Sequence, residues 1–125
     1  IKMEQIIINL IYNAKEAILD KEAQKGAFFK KIEISTGITG ANAYLMVTDN
    51  GVGIDSVNLD KIYEPFFTTK ESKQGTGLGL SIVYSLINEM RGDIKVKSKL
   101  GEGTLFTLTL PLIGNNKIKP ADKYI

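Results

Sequence analysis

The residues best placed to do chemistry include a glycine-rich stretch, Gly75-Thr76-Gly77-Leu78-Gly79-Leu80. Its glycines alternate with larger residues, and apolar side chains then recur at helical spacing as far as Met90. A glycine-rich turn that leads into a helix presents backbone N–H groups and the positive end of the helix dipole. The pattern therefore predicts an anion site, with phosphate as the usual anion. Taken alone, it is equally typical of a flexible turn before an ordinary core helix.

A second candidate is a pair of asparagines, Asn9 and Asn13, one helical turn apart. They fall inside an apolar stretch whose periodicity predicts a helix from residue 1 to about residue 25. Asparagine is a mediocre helix former, so two in register among isoleucines favour a function for their amides. The alternative is a pair of solvent-exposed asparagines on a polar helix face.

The third candidate is Asp49, which directly follows an apolar, β-prone segment and precedes Gly51 and Gly53. A carboxylate only accepts hydrogen bonds, so one held at a strand end suits an amino group on a flat ring. The glycines let such a ring lie against the backbone. The competing interpretation is a simple turn, because Asn-Gly is a strong turn dipeptide.

The elements that must position these residues follow from periodicity and turn residues. After the first helix we predict a hairpin from residues 30–38 and 43–48, and then a short helix within 55–62, capped by Asp55 or Ser56. A second helix ends near residue 90 with Gly92 as its C-cap. A second hairpin joins residues 93–100 and 104–110 through Gly101-Glu102-Gly103. The apolarity of the first helix predicts that it is covered on most sides.

Composition narrows the class of protein. The chain has 125 residues, a net charge of +2, and no cysteine or histidine. Disulfides and thiol chemistry are therefore excluded, and so is histidine as an acid, a base or a metal ligand. The lysines are scattered, which gives no nucleic-acid footprint. No apolar run is long enough to span a bilayer, and no signal peptide is recognisable. We expect a cytoplasmic domain without direct nucleic-acid or membrane contact, although the parent protein could be membrane-anchored.

The stretches together resemble the ATP-binding catalytic domain of sensor histidine kinases, in the superfamily of gyrase, heat-shock chaperone, histidine kinase and mismatch-repair ATPases. The resemblance covers residues 5–111. Its boxes occur in family order: residues 5–14 resemble the N box, 49–53 the first glycine box, 63–70 the phenylalanine box in its nitrogen-regulator-like form, 75–79 the second glycine box, and 101–104 the hairpin before the last strand.

This resemblance implies an α+β fold, a two-layer α/β sandwich in which helices cover one face of a mixed, largely antiparallel sheet (the Bergerat ATP-binding fold). It implies ATP and Mg²⁺ as cofactors, with a lid formed by residues 66–77. We expect the catalytic domain to span residues 1–113, truncated at its N-terminal strand, with residues 114–125 as a polar tail.

The resemblance also implies roles for individual residues. Asn13 is expected to coordinate Mg²⁺, and Asn9 to support phosphate or metal-bound water; these two are the catalytic residues. Asp49 is expected to accept a hydrogen bond from the adenine amino group, and Thr104 to hold a bridging water. The full predicted nucleotide-binding set is Asn9, Asn13, Glu16, Asp49, Gly51, Gly53, Ile54, Lys70, Thr76, Gly77, Leu78, Gly79, Leu80 and Thr104.

The sequence departs from the family at two places. Many histidine kinases carry a Lys-Tyr pair soon after the N-box asparagine, whereas Glu16 and Ala17 stand here. No aromatic stack on adenine is therefore predicted. The arginine often found in the lid is missing as well, so the expected phosphate contact there comes from Lys70.

The resemblance implies a protein-histidine kinase domain of a two-component system. It donates the γ-phosphate of ATP to a histidine on a separate phosphoacceptor domain, in cis or in trans within a dimer, and a response regulator acts downstream. The alternatives are a self-contained ATPase, an anti-sigma-type serine kinase and a non-catalytic binding module. The first two tend to carry a carboxylate where this chain has Asn9, and only a carboxylate takes a proton from water. The intact boxes argue against the third.

Overall fold

A helix followed by a hairpin of two strands occurs twice along the described part of the chain, in the predicted order. The structure, a computed structural model, describes residues 2–67 and 79–112. The helices and strands are α1 (Lys2–Lys25), β1 (Ile32–Thr39), β2 (Asn42–Asp49), a single 3₁₀ turn (Ser56–Asn58), α2 (Gly79–Glu89), β3 (Asp93–Lys99) and β4 (Gly103–Pro111). The predicted tail at 114–125 and most of the predicted lid lie outside the described residues.

The described strands form one sheet in the order β1-β2-β4-β3, and every neighbouring pair is antiparallel. Two hairpins supply the outer pairs, while β2 and β4 are distant in sequence and join the hairpins at the centre. Both helices pack on the sheet. The predicted two-layer α+β class is thus confirmed.

The core lies between the helices and one face of the sheet. The alternation of β2 and β4 sends every second side chain to this face, where Leu45 and Val47 meet Leu108 and Phe106 across the strand pair. From the helices, Ile6 and Leu10 of α1 and Val83 and Ile87 of α2 complete the buried cluster. The sheet therefore holds both helices by one continuous apolar layer.

Coverage of α1 differs from the prediction. Ile6, Leu10, Ala14 and Ile18 are buried, but Ile8, Tyr12 and Leu19 on another side of the helix are exposed. Among the described residues the helix packs on the sheet and α2 along one side and meets the loop after β2 at Ala17, so its apolar character does not mean that it is enclosed. Glu16, predicted on the polar face, is instead 5% exposed and is engaged in an interaction.

Strand β1 lies at one edge of the described sheet, and its outer backbone edge has no neighbouring strand among the described residues. Ile32, Ile34 and Ile38 project on the same face as the core residues of β2, yet all three are exposed because α1 covers little of this strand. The strand therefore combines an open backbone edge with an uncovered apolar row.

The end of α2 corrects another prediction. The residue in the left-handed conformation is Arg91, with φ 60°, and not Gly92. The Gly92 N–H donates to the Ile87 carbonyl over 2.9 Å and the Arg91 N–H to that of Asn88 over 3.0 Å, which is the Schellman pattern. Glycine is required at position 92 for space, since a Cβ there would lie 2.5 Å from the Thr109 carbonyl oxygen.

The predicted short helix within 55–62 is only the 3₁₀ turn at Ser56–Asn58. Its predicted cap is confirmed, because the Val57 N–H donates to Asp55 Oδ1 over 3.2 Å. This turn begins the connection between the centre of the sheet and α2.

Candidate functional site

Three polar side chains form a row across one end of the sheet. Thr104 of β4 pairs with Asp49 of β2 on one side and with Ser98 of β3 on the other, so all three project on the helix-covered face. The next row along the strands is apolar, with Phe106 paired to Val47 and Val96. Asp49 is 5% exposed and Thr104 is 4% exposed. These polar side chains thus lie at the boundary of the core, where the low local dielectric strengthens each hydrogen bond.

Asp49 is buried at the end of β2, and backbone N–H groups hold its carboxylate. Its Oδ1 accepts from the Gly51 N–H over 2.8 Å, and the Thr104 backbone N–H also donates to the carboxylate. Burial raises the pKa of Asp49 above its ordinary value; the two backbone hydrogen bonds and the positive charge of Lys21 act in the opposite direction and are weaker. The charged carboxylate is therefore costly in this fold, which is typical of a group kept for binding.

The loop after β2 is clamped from two sides. The Asn50 amide accepts from the Lys31 N–H over 2.9 Å and donates to the Phe29 carbonyl over 2.6 Å, while Lys21 Nζ donates to the Asn50 carbonyl over 2.9 Å. The Val52 N–H donates to the Ala17 carbonyl of α1 over 3.0 Å. The loop is thus attached to α1 and to the segment that enters β1.

The rest of this loop rests on the β3–β4 hairpin. The Gly101 N–H donates to the Val52 carbonyl over 2.7 Å, and the Ile54 N–H donates to Ser98 Oγ over 2.7 Å. Gly53 has φ 77°, and a Cβ there would collide with the Lys99 carbonyl oxygen. Glycine is therefore required both by the backbone conformation and by the close approach of the hairpin. The predicted residues Asp49, Gly51, Gly53, Ile54 and Thr104 are brought together.

Helix α1 connects this cluster with the start of α2. Asn9, Asn13 and Ala17 follow one another at four-residue spacing, so they lie along one side of the helix. Ala17 meets the loop after Asp49, and at the other end Asn9 Oδ1 is 3.7 Å from the point a Gly79 Cβ would occupy. Asn13 lies between the two contacts, which are about 12 Å apart along the helix axis.

Four predicted residues, Lys70, Thr76, Gly77 and Leu78, lie outside the described residues. Leu80 is half-buried and packs against the core cluster. Glu16 is buried one residue before Ala17, on the helix that carries both asparagines. These positions are compatible with the predicted set but assign no role to its members.

Sequence reasoning missed Ser98 and Lys21. Ser98 Oγ contacts the Ile54 N–H, the Gly103 carbonyl and Thr104 Oγ1, and so joins the loop to the hairpin. A polar residue at an inward position of the alternating strand β3 was the available sign. Lys21 shows no such sign, because its contact with the Asn50 carbonyl crosses 29 positions of the chain.

The described residues contain neither a metal-binding cluster nor a membrane-spanning helix. Within 2–67 and 79–112, no group of three or more acidic side chains is placed to hold a metal ion. Neither described helix is long and apolar enough to cross a membrane.

Comparisons with known proteins identify the family. The family model described as histidine kinase-, DNA gyrase B- and HSP90-like ATPase matches residues 1–114. The sensor histidine kinase ZraS of Escherichia coli K12 is 40% identical over 111 residues, which are 89% of this chain and 22% of ZraS. The two-component sensor PprA of Pseudomonas aeruginosa is also 40% identical over 111 residues, which are 12% of PprA. The chain thus spans a small part of these relatives.

Solved structures give the same assignment. The nucleotide-free catalytic domain of the histidine kinase ThkA superposes with a TM-score of 0.70 at 34% identity, over 88% of this chain and 66% of that one. The mycobacterial sensor histidine kinase MprB superposes with a TM-score of 0.72 at 23% identity, over 88% of this chain and 70% of that one, and supports the fold. The predicted resemblance is confirmed, and the chain belongs to the family of histidine kinase-, DNA gyrase B- and HSP90-like ATPases.

Proposed function

We propose that this chain is the ATP-binding catalytic domain of a sensor histidine kinase, which binds Mg²⁺-ATP and presents the γ-phosphate to a histidine on a separate phosphoacceptor domain. A response regulator then receives the signal. The support from relatives is that PprA is a two-component sensor, that ZraS is a sensor histidine kinase and that a solved neighbour is the catalytic domain of a histidine kinase.

The observation that carries the proposal is the arrangement of Asp49, Asn13 and Gly79 along α1. The buried Asp49 carboxylate lies where the loop contacts Ala17, and the glycine start of α2 lies beside Asn9. In the proposed complex the adenine amino group donates to Asp49, Gly53 and Ile54 line the base, and the phosphates extend along α1 toward Gly79. The start of a helix favours their negative charge.

Magnesium fits the donor set only together with the nucleotide. The described residues hold no acidic cluster for the ion, whereas Asn13 offers one neutral oxygen. Mg²⁺ keeps several waters and is commonly bound through few protein oxygens plus substrate phosphates. When bound, it neutralises developing charge on the phosphates. Asn9 would then hold a phosphate oxygen or a metal-bound water.

Phosphate transfer needs a nucleophile that this chain lacks, because it contains no histidine. Asn9 is a carboxamide one turn before Asn13 and cannot take a proton from water. We therefore assign the chain the tasks of positioning and charge neutralisation, which make up most of catalysis in phosphoryl transfer. Without the acceptor domain, it is expected to bind ATP and to hydrolyse it very slowly.

The test is titration calorimetry of the wild-type chain and Asn13→Ala with ATP, with and without Mg²⁺. Wild type is expected to bind more tightly with Mg²⁺, and Asn13→Ala to lose that difference. Asn42→Ala is the matched control, since Asn42 begins β2 at the other end of the sheet. A histidine-bearing acceptor domain added with labelled ATP is expected to gain an acid-labile phosphate. Steady ATP hydrolysis by the wild-type chain alone, stopped by Asn13→Ala, would instead make it an ATPase.

A further inference from the structure

We propose that Ser98 is a positioning residue that fixes the direction of the Thr104 hydroxyl and thereby makes the base pocket selective for a 6-amino purine over a 6-oxo purine. This inference rests on the proposed function, because it takes Asp49 and Thr104 as the residues that face the base. In it Thr104 contacts the base directly, in place of the bridging water that the resemblance implies. The inference explains why the pocket would select one base. The residue responsible, Ser98, is not among the nucleotide-binding residues predicted from the sequence.

The geometry around Ser98 is that of a hub with three partners. Its Oγ lies 2.9 Å from the Gly103 carbonyl oxygen, 2.7 Å from the Ile54 backbone nitrogen and 2.7 Å from Thr104 Oγ1. The partners belong to the loop after β2 and to strand β4, while Ser98 itself belongs to β3. One hydroxyl therefore connects three segments of the polar row.

Counting protons assigns the direction of each bond. A serine hydroxyl has one proton and two lone pairs. The Gly103 carbonyl can only accept, so the Ser98 proton goes to it, and the Ile54 N–H can only donate, so it takes one lone pair. The remaining lone pair faces Thr104 Oγ1, which must then donate its own proton to Ser98. Thr104 Oγ1 is left with acceptor capacity alone.

Asp49, the neighbour of Thr104 on the other side, is also only a hydrogen-bond acceptor. Asp49 is paired with Thr104 in the β2–β4 register, and its carboxylate accepts hydrogen bonds without donating any. Both side chains are almost completely buried, so water cannot easily compensate for a mismatched partner. This end of the sheet thus offers two acceptors and no side-chain donor from the pair.

A base with an exocyclic amino group complements two acceptors, because that group has two protons to donate. Adenine carries such a group at C6, whereas a 6-oxo purine presents an acceptor oxygen at the same position. The oxygen would face Asp49 and Thr104 with no proton between them, and the single N1 proton of such a base can satisfy only one of the two acceptors. If Ser98 did not hold the Thr104 proton, the hydroxyl could rotate and donate to the oxygen, and the discrimination would decrease.

The test compares ATP with inosine 5′-triphosphate, which differs from ATP at the base by its 6-oxo group and the N1 proton. Dissociation constants for both are measured with Mg²⁺ for wild type, Ser98→Ala and Ser98→Thr. Wild type is expected to prefer ATP, and Ser98→Ala to reduce the ratio of the two constants about tenfold, the worth of one hydrogen bond. Ser98→Thr, which keeps the hydroxyl, is expected to restore the ratio.

Two variants make the comparison robust. Ser35→Ala removes an exposed serine from β1 and is expected to leave both constants unchanged. Ser98→Cys keeps nearly the same volume but forms only weak hydrogen bonds, so it replaces Ser98→Ala if that variant does not fold. Thermal melting without nucleotide separates a loss of stability from a change of selectivity.

The outcomes separate this inference from the proposed function. If wild type does not bind ATP, the proposed function fails and the inference fails with it. If wild type binds ATP but Ser98→Ala weakens ATP and inosine 5′-triphosphate equally, the proposed function stands and Ser98 is only structural. Equal affinity of wild type for the two nucleotides would also overturn the inference.

Discussion

The substitution Asp49→Asn is expected to change ligand binding and fold stability in opposite directions. The asparagine has one oxygen, and the Gly51 and Thr104 backbone N–H groups that now donate to the carboxylate compete for it. Its NH₂ group is then left toward the base, where it meets the adenine amino group donor to donor. Loss of a hydrogen bond to a charged acceptor costs about 1.5–3 kcal/mol, or about 10- to 150-fold in the dissociation constant.

The effect on stability follows from the raised pKa of Asp49. Burial favours the protonated carboxyl, so this group contributes stability to the fold below its unfolded pKa of 3.8, and that contribution is lost as pH rises through the higher folded pKa. Asparagine stays neutral at every pH. Relative to wild type, the nucleotide-free variant is therefore expected to gain free energy of unfolding as pH rises from below 3.8 to neutrality.

Calorimetric titration with Mg²⁺-ATP measures the first effect, and urea denaturation at pH 3.5 and pH 7 measures the second. Asp55→Asn is the matched control: Asp55 caps the 3₁₀ turn and lies outside the polar row, so ATP affinity should not change. Wild-type ATP affinity in Asp49→Asn would remove this residue from the site. A variant that is relatively less stable at pH 7 than at pH 3.5 would refute the argument from burial.

Two further predictions concern the fold. Within residues 2–67 and 79–112, the buried Tyr63 hydroxyl has no hydrogen-bond partner, so Tyr63→Phe is expected to raise the free energy of unfolding by about 1 kcal/mol in urea at pH 8. Burial, Asp93 and Tyr84 raise the pKa of Tyr63 from 10.0 to about 12, so the free energy of unfolding of wild type should fall relative to that of Tyr63→Phe as pH rises through that interval; an identical alkaline profile in the variant would contradict this. Arg91→Gly is expected to raise the free energy of unfolding by about 0.5–1 kcal/mol, since Arg91 occupies the left-handed position after α2. Gly92→Ala should lower it, because a Cβ at this position would meet the Thr109 carbonyl oxygen. A lower denaturation midpoint in Arg91→Gly would refute the capping argument.

Most elements could be predicted because their patterns are local. The alternation in β4 and the helical spacing in α1 are visible in a short window, and the bounds agree within a few residues. The pairing of β2 with β4 could not be predicted in this way, since the sequence of neither strand indicates which other strand it pairs with. The row of Asp49, Thr104 and Ser98 depends on that register. Asp49 and Thr104 could be proposed from motifs, whereas the sign for Ser98 was only its polar side chain at an inward position of β3.

Other differences come from tertiary contacts that override residue type. A glutamate on the polar stripe of an amphipathic helix is expected in solvent, but Glu16 is buried, so tertiary contacts that periodicity does not show cover this position of α1. Arg91 occupies a position that usually favours glycine, because Gly92 is needed next to the Thr109 carbonyl. For Gly92 the deciding neighbour, Thr109, is distant in sequence and belongs to another strand.

The outer edge of β1, which has no neighbouring strand among the described residues, has a consequence for how this chain behaves in solution. Two copies can approach with their β1 strands antiparallel across a twofold axis, so that two four-stranded sheets become one of eight strands. Ile32, Ile34 and Ile38 would then shield one another from water. Self-association of the isolated chain is expected to rise with concentration, and sedimentation at several loadings would measure it. A lysine in place of Ile34 would keep the chain monomeric, which makes that variant a suitable background for the binding measurements.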